Sequence, residues 1–303
     1  VYLYRSTIAT LTMIMLPVIG GMLTLQAGIL NISQEGAMLM AAFFAVLGSY
    51  LFSSFWMGLL FAILASLMIN LIYALFCVTL RANIWVIGMA LNIFASSLTV
   101  LLLKSIFGVK GSFTSSKIRQ IPFVHFGNLG PLNAFLNDFS LVVWITVALV
   151  VFFKYVDEKT TFGLHLKAAG KNWQALNTAG ISSTLVRYES ILINAILVGI
   201  SGAYLSIGYL KLFNKDMSAG RGWIAVAAVI FGNGDFTWTL IATIAFGFMD
   251  ALGISLQSYG LNSNFTLTFP YLAIVVALIY QGVKFSKESK SESTKNQVDS
   301  FKS

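Results

Sequence analysis

Polar and ionisable side chains are scarce in this sequence, so the few set inside apolar text are the ones that could do chemistry. Asn31 and Glu35 stand in GILNISQEG, between two long apolar runs. Asn92 stands in ALNIFASSLT, beside Ser96, Ser97 and Thr99. Arg221 follows Asp216 in FNKDMSAGRG. Asp250 lies within an apolar run of its own. Amides, carboxylates and a guanidinium so placed either contact a polar solute or hydrogen-bond neighbouring helices together. For Asp250 the second role is the expected one. Glu189, at a helix start, is accounted for by the helix dipole. Lys104, near the end of its run, can snorkel.

Other chemistries lack their parts. An intramembrane enzyme needs a nucleophile with a base, or a metal site, and the sequence offers no convincing constellation. His125 and His165 have no carboxylate at ligand spacing, and Cys77 is the only cysteine. That excludes a disulfide framework and a cysteine-based metal site. A phosphate-binding loop reads G-x-x-x-x-G-K-[ST]. The nearest text, GLHLKAAGKN, has His165 at the required first glycine and Asn172 after Gly170-Lys171. The chain is therefore read as no enzyme and as needing no cofactor. Any ATP hydrolysis must come from a partner.

The elements that position these residues follow from composition. Of 303 residues, 57% are hydrophobic and 10% charged. A soluble domain carries about 25% charged residues, so a soluble enzyme, a nucleic-acid-binding domain and a disordered scaffold are excluded. What remains is an all-α polytopic helix bundle surrounded by membrane lipid. The net charge of +8 then marks cytoplasmic loops rather than a nucleic acid partner.

A crossing needs about 20 mainly apolar residues. The runs of that kind are Ser6–Gly28, Gly36–Ser54, Phe55–Leu80, Ile84–Phe107, Phe139–Val156, Tyr188–Leu210, Thr237–Gln257 and Phe269–Phe285. The first is too long for a cleavable signal peptide. A further piece, Gly222–Gly232, is short for a crossing and becomes long enough only if Met217–Arg221 belongs to it. The expectation is a bundle of about 8–9 spans with broken or short helices. Residues 1–285 form the membrane domain, with 154–187 as a cytoplasmic loop. Residues 286–303 form a cytoplasmic tail, lysine-rich among Ser and Glu and expected to be disordered. Parity places Arg81 inside, and the N-terminus and Gly108–Asp138 outside.

The two interrupted elements are followed by loosely similar text, GAMLMAAFF from Gly36 and GWIAVAAVI from Gly222. Paired broken helices of this kind are consistent with an inverted repeat around a binding site. On that reading Glu35 lies near the inner side and Arg221 near the outer side. Ordinary short loops between hairpin helices are the alternative. SGAYLSIG and AFGFMDALG place small residues at helical spacing, which lets helices pack closely.

Four stretches together carry a family resemblance. GILNISQEGAMLMAAFFAV, ALNIFASSLT, GLHLKAAGKNWQALNTAGIS and MSAGRGWIAVAAVIFG resemble the permease subunits of bacterial ABC importers of the branched-chain amino acid and simple sugar family. The nearer likeness is to the second permease chain of the nucleoside and simple sugar branch. The resemblance covers nearly the whole chain. It departs at Ser33-Gln34, where the family usually has a glycine and a hydrophobic residue, and at Trp173, where proline is common.

The resemblance implies a plasma-membrane permease that moves nucleosides or simple sugars inward by alternating access. It implies an ABC ATPase subunit, a second and different permease chain, and an extracellular solute-binding protein or lipoprotein as partners. It also implies a helix that couples to the ATPase, here matched by Gly163, Lys167, Ala168, Gly170, Lys171, Asn172, Ala175, Ala179 and Gly180. Asn31, Glu35, Asn92 and Arg221 are the residues expected along the solute pathway. An ion-coupled secondary transporter and a non-transport membrane scaffold remain as rival readings.

Overall fold

The structure is a computed structural model that describes residues 2–125, 127, 137–257, 268–276 and 279. Ten helices can be labelled among the described residues. They are α1 (Tyr2–Gln26), α2 (Gln34–Phe52), α3 (Phe55–Ala74), α4 (Ile84–Phe107), α5 (Leu141–Lys159), α6 (Thr161–Lys171), α7 (Trp173–Thr178), α8 (Ser183–Ala203), α9 (Arg221–Gly232) and α10 (Phe236–Gln257). Residues 268–276 are also helical. α3 and α8 each continue into a π-helical turn, Leu75–Thr79 and Tyr204–Leu210.

Six of these elements are long and apolar enough to cross a membrane: Leu3–Gln26, Gln34–Phe52, Phe55–Thr79, Ile84–Phe107, Ser183–Leu210 and Phe236–Gln257. They coincide with six of the eight expected spans to within a few residues. The expected span Phe139–Val156 begins as a strand and continues as α5, whose last turn carries Asp157, Glu158 and Lys159. α9 has 12 residues, or about 18 Å of helix, against a hydrocarbon core of about 30 Å. It does not cross alone. The expected span Phe269–Phe285 lies partly, and the tail 286–303 wholly, outside the described residues.

α1 is the centre of the bundle and packs against α8, α9 and α10. α2 packs against α3, α4 and α8. The apolar runs of α1, α2 and α8 are mostly buried, while α3 and α4 keep a broad outward face. On α3 that face is the stripe Leu60, Leu64, Met68 and Leu71, at helical spacing and wholly apolar, as a lipid-facing surface should be. The small residues behave as their spacing predicts. A Cβ on Gly202 would sit 2.5 Å from the Met38 carbonyl oxygen, so α8 and α2 touch backbone to backbone.

Two short antiparallel ribbons close one end. β1 (Ser112–Phe113) pairs with β4 (Phe213–Asn214), and β2 (Phe123–Val124) with β3 (Phe139–Ser140). The other end carries Arg81 and the basic α6–α7 segment, and Thr79 and Tyr188 share a hydrogen bond of 2.6 Å there. These are called the ribbon end and the basic end below.

Candidate functional site

The first break, residues 27–33, climbs from the basic end into the bundle and is held by side chains from α3 and α4. Asn31 donates through Nδ2 to Asn70 Oδ1 at 2.6 Å. Its Oδ1 accepts from the Ser33 amide at 3.0 Å and hydroxyl at 2.8 Å. Tyr73 donates to the Leu30 carbonyl at 2.6 Å. Asn92 donates to the Ile32 carbonyl at 2.9 Å and accepts from the Gly36 amide at 2.8 Å. Asn31 and Ser33 are fully buried. Backbone without helical partners must be satisfied inside the protein at this depth, and these amide side chains do that.

The second break, residues 211–220, descends from the ribbon end to the start of α9. Left-handed backbone at Lys211, Asp216, Ala219 and Gly220 keeps it from becoming helix. It ends on Glu35. The Gly220 amide donates to Glu35 Oε1 at 2.9 Å and the Gly222 amide to Oε2 at 2.7 Å. A side chain at position 222 could not be accommodated, since a Cβ there would lie 2.5 Å from Glu35 Cα.

α2 and α9 therefore start at one point and leave in opposite directions. α2 runs toward the ribbon end, where Ser49 bonds the Arg119 backbone. α9 runs toward the basic end, where the Gln26 amide donates to the Gly234 carbonyl at 2.7 Å. The Glu35 carboxylate sits where both helix N-termini converge, each favouring negative charge. Next to it, Arg221 Nε donates to Asp250 Oδ2 at 3.1 Å, with side chains only 12% and 6% exposed. Asp250 thus has the helix-bridging role expected of it. Asp216 accepts from the Ser96 hydroxyl at 2.5 Å and is exposed.

This geometry corrects one expectation. Glu35 and Arg221 do not lie near opposite membrane faces. Glu35 bonds the amides on both sides of Arg221, so the two share one depth. The parity count treated each break as a loop at a surface, whereas both turn back inside the bundle and meet. Of the expected pathway residues, Glu35 and Arg221 come together here. Asn92 joins them through the α2 start, and Asn31 lies deeper in the first break.

The basic segment forms a second candidate region. α6 is seated on the end of α1. Gly170 lies directly on the Gln26 carbonyl, and a Cβ on Gly28 would be 3.1 Å from Gly170 Cα. Arg187 fastens this seat by donating to the Ala27 carbonyl at 3.1 Å and the Ala169 carbonyl at 3.5 Å. Lys167 pairs with Asp157 at 2.9 Å, and Gly163 packs on the Asp157 carbonyl. Asn172 accepts from the Ala175 amide at 3.0 Å, starting α7. Lys171, Asn172, Trp173, Gln174, Ala175, Ala179 and Gly180 are exposed. Gly163 is thus buried against the bundle, Gly170 is exposed but turns one side onto α1, Lys167 and Ala168 are half-buried, and the rest of the expected coupling residues face outward. The Arg187 tie was missed in the sequence, where Arg187 reads only as the last charge of a basic stretch.

An apolar groove of about 450 Å³ between α1, α5 and α10 is lined by residues such as Ile8, Leu11, Met15, Val147, Leu240 and Ile244. Its chemistry suits lipid tails, and none of the residues above lines it. Among the described residues, no group of three His, Cys, Asp or Glu could hold a metal ion.

Residues 4–278 match the family model of the branched-chain amino acid transport system, permease component. The chain belongs to this permease family. It is 30% identical to the nucleoside ABC transporter permease protein NupC of Lactococcus lactis subsp. cremoris, over 86% of each chain. It is 28% identical to the guanosine ABC transporter permease protein NupQ of Bacillus subtilis, over 90% of this chain and 89% of that one. It is 26% identical to the putative glucose ABC transporter permease protein TsgC13 of Haloferax volcanii, over 93% of this chain and 92% of that one. No solved structure matches. The permease is thus a multi-pass plasma-membrane subunit of an ABC importer, a transport component rather than a catalytic one.

Proposed function

We propose that this permease moves a nucleoside, with simple sugars as the second solute class, into the cell by alternating access driven by a partner ATPase. The named activities of the relatives support the solute class. The mechanism rests on one continuous line of contacts through the fold.

The exposed α7 and the end of α6 are the surface offered to the ATPase, on the cytoplasmic side. A short helix with an apolar anchor, Trp173, and a flanking Lys171 has the form that seats in a groove with acidic rims. Movement of α7 carries α6. α6 cannot slide freely, because Gly170 bears on the Gln26 carbonyl and Arg187 ties Ala169 to Ala27. The push reaches the first break, and Asn31 and Asn92 make that break a stiff strut. The strut ends in Glu35, which grips the start of α9. Bond-by-bond connection from docking surface to converged helix ends is the observation that carries the reading. Glu35 and Arg221 set the geometry of the pathway wall. Tight solute capture belongs to the extracellular binding protein, and a second permease chain completes the path.

The test is purification from the native host in a detergent that preserves other complexes, followed by reconstitution. The proposal expects an ATPase subunit and a second permease in comparable amounts, and nucleoside uptake that stops when ATP is withheld. Gly170→Leu should keep ATPase hydrolysis while removing uptake. A chain that emerges alone and transports on an ion gradient would favour the secondary-transporter reading instead.

A further inference from the structure

Asp216 is a carboxylate in a place where lipid would not tolerate it. Its partner Ser96 lies 12 residues from the start of α4 and 11 from its end, about 16–18 Å from either. That is the middle of a membrane-spanning helix. Asp216 is nevertheless exposed on the surface of the chain, and among the described residues no cation is within ion-pair distance of it. Ionisable side chains at such depth face a bundle interior or a water-filled cavity.

A second observation is independent of the charge. Beyond the β4 ribbon, residues 215–220 are irregular backbone, and Lys215 and Ala219 are exposed along with Asp216. Non-helical backbone at membrane depth survives only where protein covers it or where it lines water. Here the chain buries Met217 and Ser218 and sets Gly220 against Tyr271, but it leaves Lys215, Asp216 and Ala219 open. The α3 face, with Leu60, Leu64, Met68 and Leu71, shows what this bundle presents to lipid, and it carries no polar group.

We propose that Asp216 lines the aqueous translocation path, on a wall formed by the 214–219 segment and the Ser96 side of α4. This rests on the reading of the chain as an importer subunit. The carboxylate is acceptor-only when ionised. It accepts hydrogen bonds from the hydroxyls of an uncharged solute, and it repels the same solute once phosphorylated. Asp216 is thus a specificity-determining residue that selects nucleosides over nucleotides. Ser96, which donates to it, is a positioning residue.

Cysteine accessibility tests this, because Cys77 is the only native cysteine and is buried. In the assembled transporter in liposomes, on a Cys77→Ser background, Asp216→Cys and Ala219→Cys are treated with a membrane-impermeant, cationic methanethiosulfonate. Ala219 is exposed on the same segment and covers the case in which Asp216→Cys fails to fold. Leu64→Cys is the lipid-facing control. Both pathway cysteines should react at least about 100-fold faster than the control, since the thiolate is the reactive form and needs water. Guanosine, with the binding protein present, should slow them several-fold, and guanosine 5′-monophosphate should not. Reaction as slow as the control at both positions would overturn the proposal, and so would fast reaction that guanosine leaves unchanged. Uptake by the unmodified complex is measured in parallel. If that complex imports no nucleoside, the functional reading fails on its own account, whatever the labelling shows.

Discussion

The two breaks in the bundle meet at one carboxylate but are built in opposite ways. In residues 27–33 the freed backbone groups are taken up by buried amides and a tyrosine from neighbouring helices, and Asn31 and Ser33 have no exposed surface. In residues 211–220 the backbone bends through left-handed residues, and four of the side chains from Asn214 to Ala219 are exposed. The first break is buried and fixed, which suits the force-transmitting role proposed for it. The second is exposed on one side, which suits the solute-facing role proposed for it. Glu35 belongs to the first and holds the end of the second.

This contrast predicts how mutations divide. The largest effect should come from the ion pair beneath the junction. Arg221→Ala or Asp250→Ala leaves a buried charge alone, which costs about 3–5 kcal/mol. Little folded complex should be recovered, and the double change to Leu at both positions should restore much of it. Normal thermal unfolding of either single variant would show that the junction is not locked as described.

Next comes the buried break. Asn92→Leu leaves the Ile32 carbonyl and the Gly36 amide unpaired, at about 1–3 kcal/mol. Thermal unfolding should fall, and uptake should fall only in proportion to the protein that assembles. Glu35→Gln keeps one acceptor, turns an NH2 toward the other of the Gly220 and Gly222 amides, and loses the charge that two helix ends favour, together about 1–3 kcal/mol. Assembly should survive, while uptake per complex drops several-fold. Unaltered uptake would remove Glu35 from the mechanism. The smallest effect on stability belongs to the exposed break. Asp216→Asn should change unfolding by less than about 0.5 kcal/mol, yet relax the preference for nucleoside over nucleotide. A large loss of stability there would make Asp216 a structural residue, like Asn92, and erase the contrast.

Much of this was legible in the sequence for a physical reason. Membrane insertion is read from continuous apolar length, so six spans appear in the text with nearly their final bounds. Breaks are legible too, because GILNISQEG and FNKDMSAGRG interrupt that length. Their depth was not. The bond from Gly220 to Glu35 joins residues 185 apart, and nothing near either one announces the other. The same holds for Asp250, whose partner Arg221 sits on another helix, and for the Arg187 tie to Ala27. Parity misplaced the two breaks for a related reason, since it presumes that every break lies at a membrane face, although Arg81 and the N-terminus with Asp138 do fall at opposite ends as it required.

Backbone hydrogen exchange in the assembled, lipid-embedded complex tests the contrast most directly, because it follows both breaks at once. Amides exchange only where water reaches them. Amides of residues 29–36 should stay protected for hours with and without guanosine. Amides of residues 214–219, held only by ribbon and turn bonds, should exchange much faster than these, and more slowly when guanosine and the binding protein are present. Equal protection of both segments in every condition would mean that the second break is as dry as the first, and the account of the pathway would be wrong.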